Sequence, residues 1–224
     1  MPQPSEAVSI DVVSDIVCPW CFIGKKRIEK AIALVPHIPV RLRFHPYFLN
    51  DWIPRGGISR EDYLTKKFGS VARYGEIAKR VQAAAAEEGL VYNIEKISRQ
   101  PNTTDAHRLI LWAGERGPQM KQRLMDLYFT EGADLTDANI LVQAAADVGL
   151  PRDDVAERLS TEDEVDLVTR AAQSAKEAGI DGVPCFIFGN ALAVSGAQAP
   201  EQLANAIERA AAELEKREGA PAAV

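Results

Sequence analysis

Two stretches with strand-like patterning frame a long helical middle. Val8 to Val13 reads Val-Ser-Ile-Asp-Val-Val, a β-branched run suited to a buried strand. Helical spacing follows at Ile28, Ala31, Ile32 and Val35, and Pro36 and Pro39 end it. Val40 to Phe44 alternates apolar and basic residues with period two and predicts a second strand. The result is a β-α-β unit, with parallel strands and a right-handed crossover. Trp52 to Ser59 contains Pro54, Gly56 and Gly57 and predicts a loop.

Helical patterns then run over Glu61 to Phe68, Glu76 to Glu88, Gln119 to Phe129, Ala138 to Val148 and Asp153 to Leu159. A further helix, capped by Thr103 or Thr104, presents Ala106, Leu109, Ile110 and Ala113 on one face. Glu162 to Ala178 predicts a helix closed by Gly179. Val183 to Phe188 predicts a strand, Gly189-Asn190 a tight turn, and Ala191 to Ser195 its hairpin partner. Pro200 opens a last helix to about Lys216, with fraying beyond. The predicted class is α/β: β-α-β plus α-β-β-α around one small mixed sheet. That places residues 1–50 and 162–224 in one discontinuous domain, with 51–161 as an inserted all-helical domain.

Composition narrows the function classes. Apolar residues at 46% and charged residues at 26% fit a folded soluble chain rather than a disordered one. A net charge of −6 without a long basic block argues against nucleic acid as a partner. The densest basic cluster, Lys25-Lys26-Arg27, reads as the solvated face of a helix. No apolar run is long enough to span a bilayer, and Met1 to Glu6 has no leader-like pattern. The expectation is a cytoplasmic protein with no membrane partner. In a reducing compartment a close cysteine pair points to redox catalysis or metal binding rather than to a permanent crosslink.

That pair is Cys18-Pro19-Trp20-Cys21. Pro19 fits the first helical position, which puts Cys18 at the helix N-terminus, where free N–H groups and the macrodipole favour a thiolate. Cys21, one turn inside, would resolve the mixed disulfide that Cys18 forms. Pro19 stiffens the turn, and Trp20 offers an aromatic surface beside the nucleophile. Two other readings stand: a metal centre, for which only Cys185, His37, His45 and His107 remain as further ligands, and a purely structural pair. No metal and no bound cofactor are expected.

Ser14 to Gly24, reading Ser-Asp-Ile-Val-Cys-Pro-Trp-Cys-Phe-Ile-Gly, resembles the opening of FrnE-like proteins, the cytoplasmic branch of the DsbA family. Gly182-Val183-Pro184 resembles that family's cis-proline loop, and Asn102-Thr103 with Ala106-His107-Arg108 resembles a third motif. The resemblance implies a thioredoxin fold interrupted by a helical domain, a cis Val183–Pro184 bond that positions substrate against Cys18, and dithiol–disulfide exchange. Implied partners are protein or small-molecule disulfides and thiols, with glutathione as a possible co-substrate. The superfamily also holds kappa-class glutathione transferases and 2-hydroxychromene-2-carboxylate isomerases, which usually carry Ser where this chain has Cys18. A glutathione-dependent isomerase or transferase is therefore the alternative enzyme, and a metal-binding or chaperone module the non-enzymatic one.

Several residues keep two readings. Asp15 either orders the helix entry or assists Cys21 as an acid/base group. Asp11 is either a proton shuttle to Cys21 or solvated. His107 either lines the substrate cleft or serves packing or an interdomain hydrogen bond, and Asn102 either contacts substrate or orders its loop. Cys185 is either a buried strand residue or a third thiol near Cys18.

Overall fold

The computed structural model describes residues 7–218. The missing leader and the C-terminal fraying expected above fall largely outside them. Strand β1 (Val8–Ser14) is central and buried on both faces, as its β-branched run requires. Helix α1 (Pro19–Leu34) has Pro19 in its first turn and stops at Val35. Strand β2 (Val40–Pro46) pairs parallel with β1, Val8 opposite Val40 through Ser14 opposite Pro46.

The middle of the chain holds β3 (Ile58–Ser59), α2 (Arg60–Phe68), α3 (Val71–Glu87), β4 (Arg99–Gln100), α4 (Thr104–Ala113), α5 (Gly117–Asp126), α6 (Ala138–Asp147) and α7 (Arg152–Leu159). Helix α8 (Val165–Glu177), β5 (Cys185–Phe188), β6 (Leu192–Ser195) and α9 (Pro200–Glu218) complete the order. The mixed sheet runs β2-β1-β5-β6, with β5 antiparallel to both β1 and β6.

Two apolar clusters organise the molecule. One joins Val8, Ile10 and Val12 to Ile28, Ala31, Phe186, Phe188 and the inward face of α9, so α1 and α9 cover one face of the sheet. The other joins Ile16, Cys18, Cys21, Phe22 and Ile23 to Leu109, Met120, Leu124, Tyr128 and Phe129. Phe22 stacks on Phe129 with ring centroids 5.1 Å apart. The cysteine pair therefore sits where the helical core meets the start of α1.

Several local expectations need correction. The loop expected over Trp52 to Ser59 ends in a strand, since Ile58 and Ser59 pair with Gln100 and Arg99. Helix α3 starts at Val71 rather than Glu76, because the Ser70 hydroxyl accepts the Arg73 N–H at 3.1 Å and caps it. The helix expected from Glu162 starts at Val165. Glu164 adopts φ +61°, and its carboxylate binds the Trp112 indole at 2.6 Å and Arg158 at 2.8 Å. Helix α5 passes into a π turn over Leu127–Glu131. Neither Thr103 nor Thr104 caps α4 with its side chain. The Asn102 carbonyl oxygen accepts the Thr104 N–H at 3.0 Å instead. Lys25-Lys26-Arg27 is not simply a solvated face: Lys25 is 3% exposed and bonds Glu29, and Arg27 reaches Glu88 at 2.6 Å.

Candidate active site

The chain turns into α1 at Cys18, the N-cap residue, with φ −90° and ψ 113°. Its side chain caps no backbone N–H. The Cys18 carbonyl accepts the N–H groups of Cys21 (3.0 Å) and Phe22 (3.1 Å), which closes the first turn and sets Cys21 directly behind Cys18. Both thiols are buried, Cys18 at 3% and Cys21 at 2% exposure, and both are free. Trp20, between them in sequence, is exposed.

Facing them is the Val183–Pro184 loop, whose peptide bond is cis. The Cys18 sulfur lies 3.6 Å from the Val183 carbonyl oxygen. The approach of this loop to α1 depends on Gly24: a Cβ there would fall 2.8 Å from Pro184 Cγ and 3.3 Å from Phe186 Cζ.

Beneath the thiols lies a buried polar network. Asp15, 1% exposed, accepts the Ile16 N–H at 2.7 Å on Oδ1 and the Leu49 N–H at 2.9 Å on Oδ2. His107 Nε2 on α4 stands 3.4 Å from Asp15 Oδ1. Burial disfavours a charged Asp15, but the His107 hydrogen bond and charge, the Leu49 N–H and the Lys121 ammonium outweigh it and hold the carboxyl below its usual range. Burial holds His107 below the usual imidazole value, against the pull of Asp15. The Nε2 side of the His107 ring is the one that faces Asp15. Lys121 on α5 is fully buried, and its ammonium donates to the Ser14 carbonyl at 3.3 Å. Burial lowers its pKa to about 8, while the negative charge of Cys21, Asp15 and Cys18 pulls the other way.

The two thiols are driven apart. Cys18 is lowered chiefly by the hydrogen bond from Cys21, with the backbone N–H groups of Cys21 and Trp20 adding to it and Asp15 opposing it. Cys21 is pushed well up by burial and by its neighbour Cys18. The leading cause is the neighbouring thiol, ahead of the helix N–H groups that sequence reasoning favoured. The arrangement favours ionisation of the outer sulfur over the inner one, the division of labour that exchange needs.

Of the residues singled out in the sequence, Cys18, Pro19, Trp20, Cys21, Asp15, His107, Val183 and Pro184 come together. Three others do not. Asn102 binds the Ile53 carbonyl at 2.8 Å and the start of α4, so it orders the loop. Asp11 is no shuttle to Cys21: it lies opposite Arg43 in register, binds it at 2.8 and 2.9 Å, and meets His45 at 2.6 Å. Cys185 pairs with Val13 and packs in a separate cluster with Val13 and Tyr47, while Pro184 and Phe186 on either side of it face Gly24. Strand alternation thus turns Cys185 to the other face of the sheet, and burial alone pushes its thiol up.

Sequence reasoning missed Lys121. It occupies a core-facing position of α5 beside Met120, Leu124 and Met125, and a lysine at a buried helical phase was the available signal. It also missed Lys67, which donates to Asn50. Burial lowers Lys67, while Asp15 and Cys18 attract its charge.

Similarity to known proteins agrees with this site. The chain is 30% identical over 207 residues to the uncharacterized protein YwbO of Bacillus subtilis (strain 168), covering 89% of this chain and 96% of that one. Its structure matches the probable DsbA oxidoreductase SCO1869 from Streptomyces coelicolor with a TM-score of 0.84 at 29% identity, over 97% and 93% of the two chains. A 2-hydroxychromene-2-carboxylate isomerase shares the fold, with a TM-score of 0.68 at 13% identity over 95% and 100%. The model of the DSBA-like thioredoxin domain matches residues 9–208, which takes in the cysteine pair, the Val183–Pro184 loop and the helices between them. With a thioredoxin-type sheet, a helical block between its halves and that match along nearly its whole length, this chain belongs to the DSBA-like thioredoxin domain family.

Proposed function

We propose that this protein catalyses thiol–disulfide exchange in the cytoplasm, with Cys18 as nucleophile and Cys21 as resolving thiol. The observation that carries the reading is the placement of the two sulfurs: Cys18 is the N-cap of α1, 3.6 Å from the Val183 carbonyl oxygen of the cis-proline loop, and Cys21 lies one turn behind it, which lowers Cys18 and raises Cys21. The Cys18 thiolate attacks one sulfur of a substrate disulfide. That S–S bond breaks, and the other sulfur leaves as a thiolate that takes up a proton. Cys21 then loses its proton and attacks Cys18. The substrate departs as its second thiol, and Cys18 and Cys21 are left joined. An external thiol of the glutathione class returns the pair to the dithiol. Run backwards, the same steps oxidise a substrate dithiol.

Val183 and Pro184 border the approach to Cys18, and Trp20 gives an incoming chain an aromatic surface. Lys121 supplies positive charge that favours ionisation of Cys21 and is itself drawn to both sulfurs. No described helix is long and apolar enough to cross a membrane. A resolving thiol behind Cys18 favours exchange over glutathione-dependent isomerisation, which has no use for it.

The test is reduction of insulin disulfides by the purified protein with a thiol reductant. Cys18→Ser is expected to fall to background, and retention of half the activity or more refutes the reading. Cys21→Ser is expected to accumulate a mixed disulfide on Cys18 that intact-mass measurement detects.

A further inference from the structure

Strand β2 is the open edge of the sheet, with β1 on its inner side and no strand on its outer side among the described residues. Its seven residues span about 23 Å. All seven line a groove of about 770 Å³ whose opposite wall comes from α4, the start of α5 and α8. Leu111 and Leu167 on that wall are 44% and 47% exposed. An open edge of this length is a template for another chain, and proteins usually blunt such edges. A groove that follows the whole strand fits an extended peptide.

The chemistry of the occupant follows from β2 itself. Val40, Leu42 and Phe44 are half-buried, and Arg41, Arg43 and His45 between them are exposed. Residues directly opposite on neighbouring strands share a face, so an added strand meets the same alternation. The inner neighbour already shows the complement: Asp11 on β1 binds Arg43 and His45. On the outer side Arg41 makes no hydrogen bond or ion pair with any described residue, and Glu115 is the one acidic residue lining the groove. A second copy of this chain fits poorly, because antiparallel pairing of two β2 edges sets Arg41 and Arg43 against their counterparts.

We propose that β2 is a docking edge for an extended segment of a partner protein in which acidic and apolar residues alternate, added as a fifth strand. Backbone pairing supplies affinity, the apolar side chains meet Val40, Leu42 and Phe44 on one face, and the acidic ones meet Arg41 and Arg43 on the other.

The experiment uses the full chain carrying Cys18→Ser and Cys21→Ser, so its outcome is independent of exchange chemistry. A fluorescein-labelled seven-residue peptide of alternating Glu and Val is titrated by anisotropy against its Lys and Val counterpart, with amide hydrogen exchange followed in parallel. The Glu peptide is expected to bind at least about fivefold more tightly than the Lys peptide and to slow exchange across residues 40–46. Arg41→Glu, a change at an exposed and unpartnered side chain, is expected to weaken the Glu peptide about tenfold and reverse the preference. Failure of the Glu peptide to bind up to millimolar concentration overturns the proposal. So does protection confined to residues outside 40–46, or indifference to Arg41→Glu. A dimer in which residues 40–46 are already protected without peptide overturns it in favour of a second copy.

Discussion

Lys121→Met separates what the buried lysine costs the fold from what it gives the thiols. The drop in its pKa from 10.5 to about 8 corresponds to about 3 kcal/mol against the folded state while the lysine is charged. The sign follows from proton binding. Between pH 8 and 10.5 the unfolded chain holds this proton and the folded chain has lost it, so stability rises with pH through that window and is lowest below it. Methionine fills a similar volume without charge. It forfeits the hydrogen bond to the Ser14 carbonyl, worth about 1 kcal/mol, which leaves a net gain of about 2 kcal/mol at pH 7.

The thiols pay the opposite way, since Lys121 acts on both of them. Removing that nearby opposite charge is expected to move thiol ionisation to higher pH. Urea unfolding of the reduced protein at pH 7 and at pH 10.5 reads the first effect. The pH dependence of iodoacetamide alkylation reads the second. A variant less stable than wild type at pH 7, or one with an unmoved alkylation profile, refutes the reasoning.

Two further outcomes follow from the same network. Gly24→Ala places a methyl 2.8 Å from Pro184 Cγ, so the loop or the helix must give way. The expected cost is about 1–3 kcal/mol in thermal unfolding, with slower insulin reduction but normal alkylation of Cys18 by a small reagent. Equal loss in both chemical assays would show that the loop does not act on substrate. Asp15→Asn removes a carboxylate whose folded pKa is lowered. The stability it contributes is present above the unfolded value of about 3.9 and is lost as pH falls through the folded value. The variant is therefore expected to be less stable at pH 7 and flatter across the acid range in urea titrations. Its Cys18 should ionise at lower pH, because Asp15 opposes that thiolate, and an alkylation profile shifted upward would contradict this.

Much of this arrangement can be read in the chain because it is local. The Cys18-to-Cys21 spacing, Pro19 in the first turn, the β-branched run of β1 and the alternation of β2 each depend on residues within one element. What escaped depends on contacts between distant segments or on faces that periodicity cannot assign. Asp15 and His107 meet across 92 positions. Strand β1 is buried on both faces, so its pattern could not say whether Asp11 turned toward Cys21 or toward β2. The β3–β4 pairing is only two residues long, below the reach of any period-two signal. Lys121 was hidden differently. Its helical phase is legible, but a lysine ordinarily marks a solvated position, a rule that fails where buried anions compensate a buried cation.

That compensation ties redox state to the fold. Lys121 and Lys67 are drawn to Cys18 and Asp15, and Lys121 also to Cys21. When Cys18 and Cys21 are joined, the sulfur charge disappears and the buried cation keeps only Asp15 as an anionic partner. The dithiol form, in which a thiolate can compensate Lys121, is therefore the better-balanced state, and stabilising the reduced form makes a disulfide a stronger oxidant. Lys121→Met should shift this balance toward the joined cysteines. If the thiolate loses about tenfold in stability, the potential falls by about 30 mV. Equilibration of both proteins against mixtures of reduced and oxidised glutathione measures that difference. An unchanged potential would mean that Lys121 stabilises the two redox states equally, which its position beside both sulfurs does not allow.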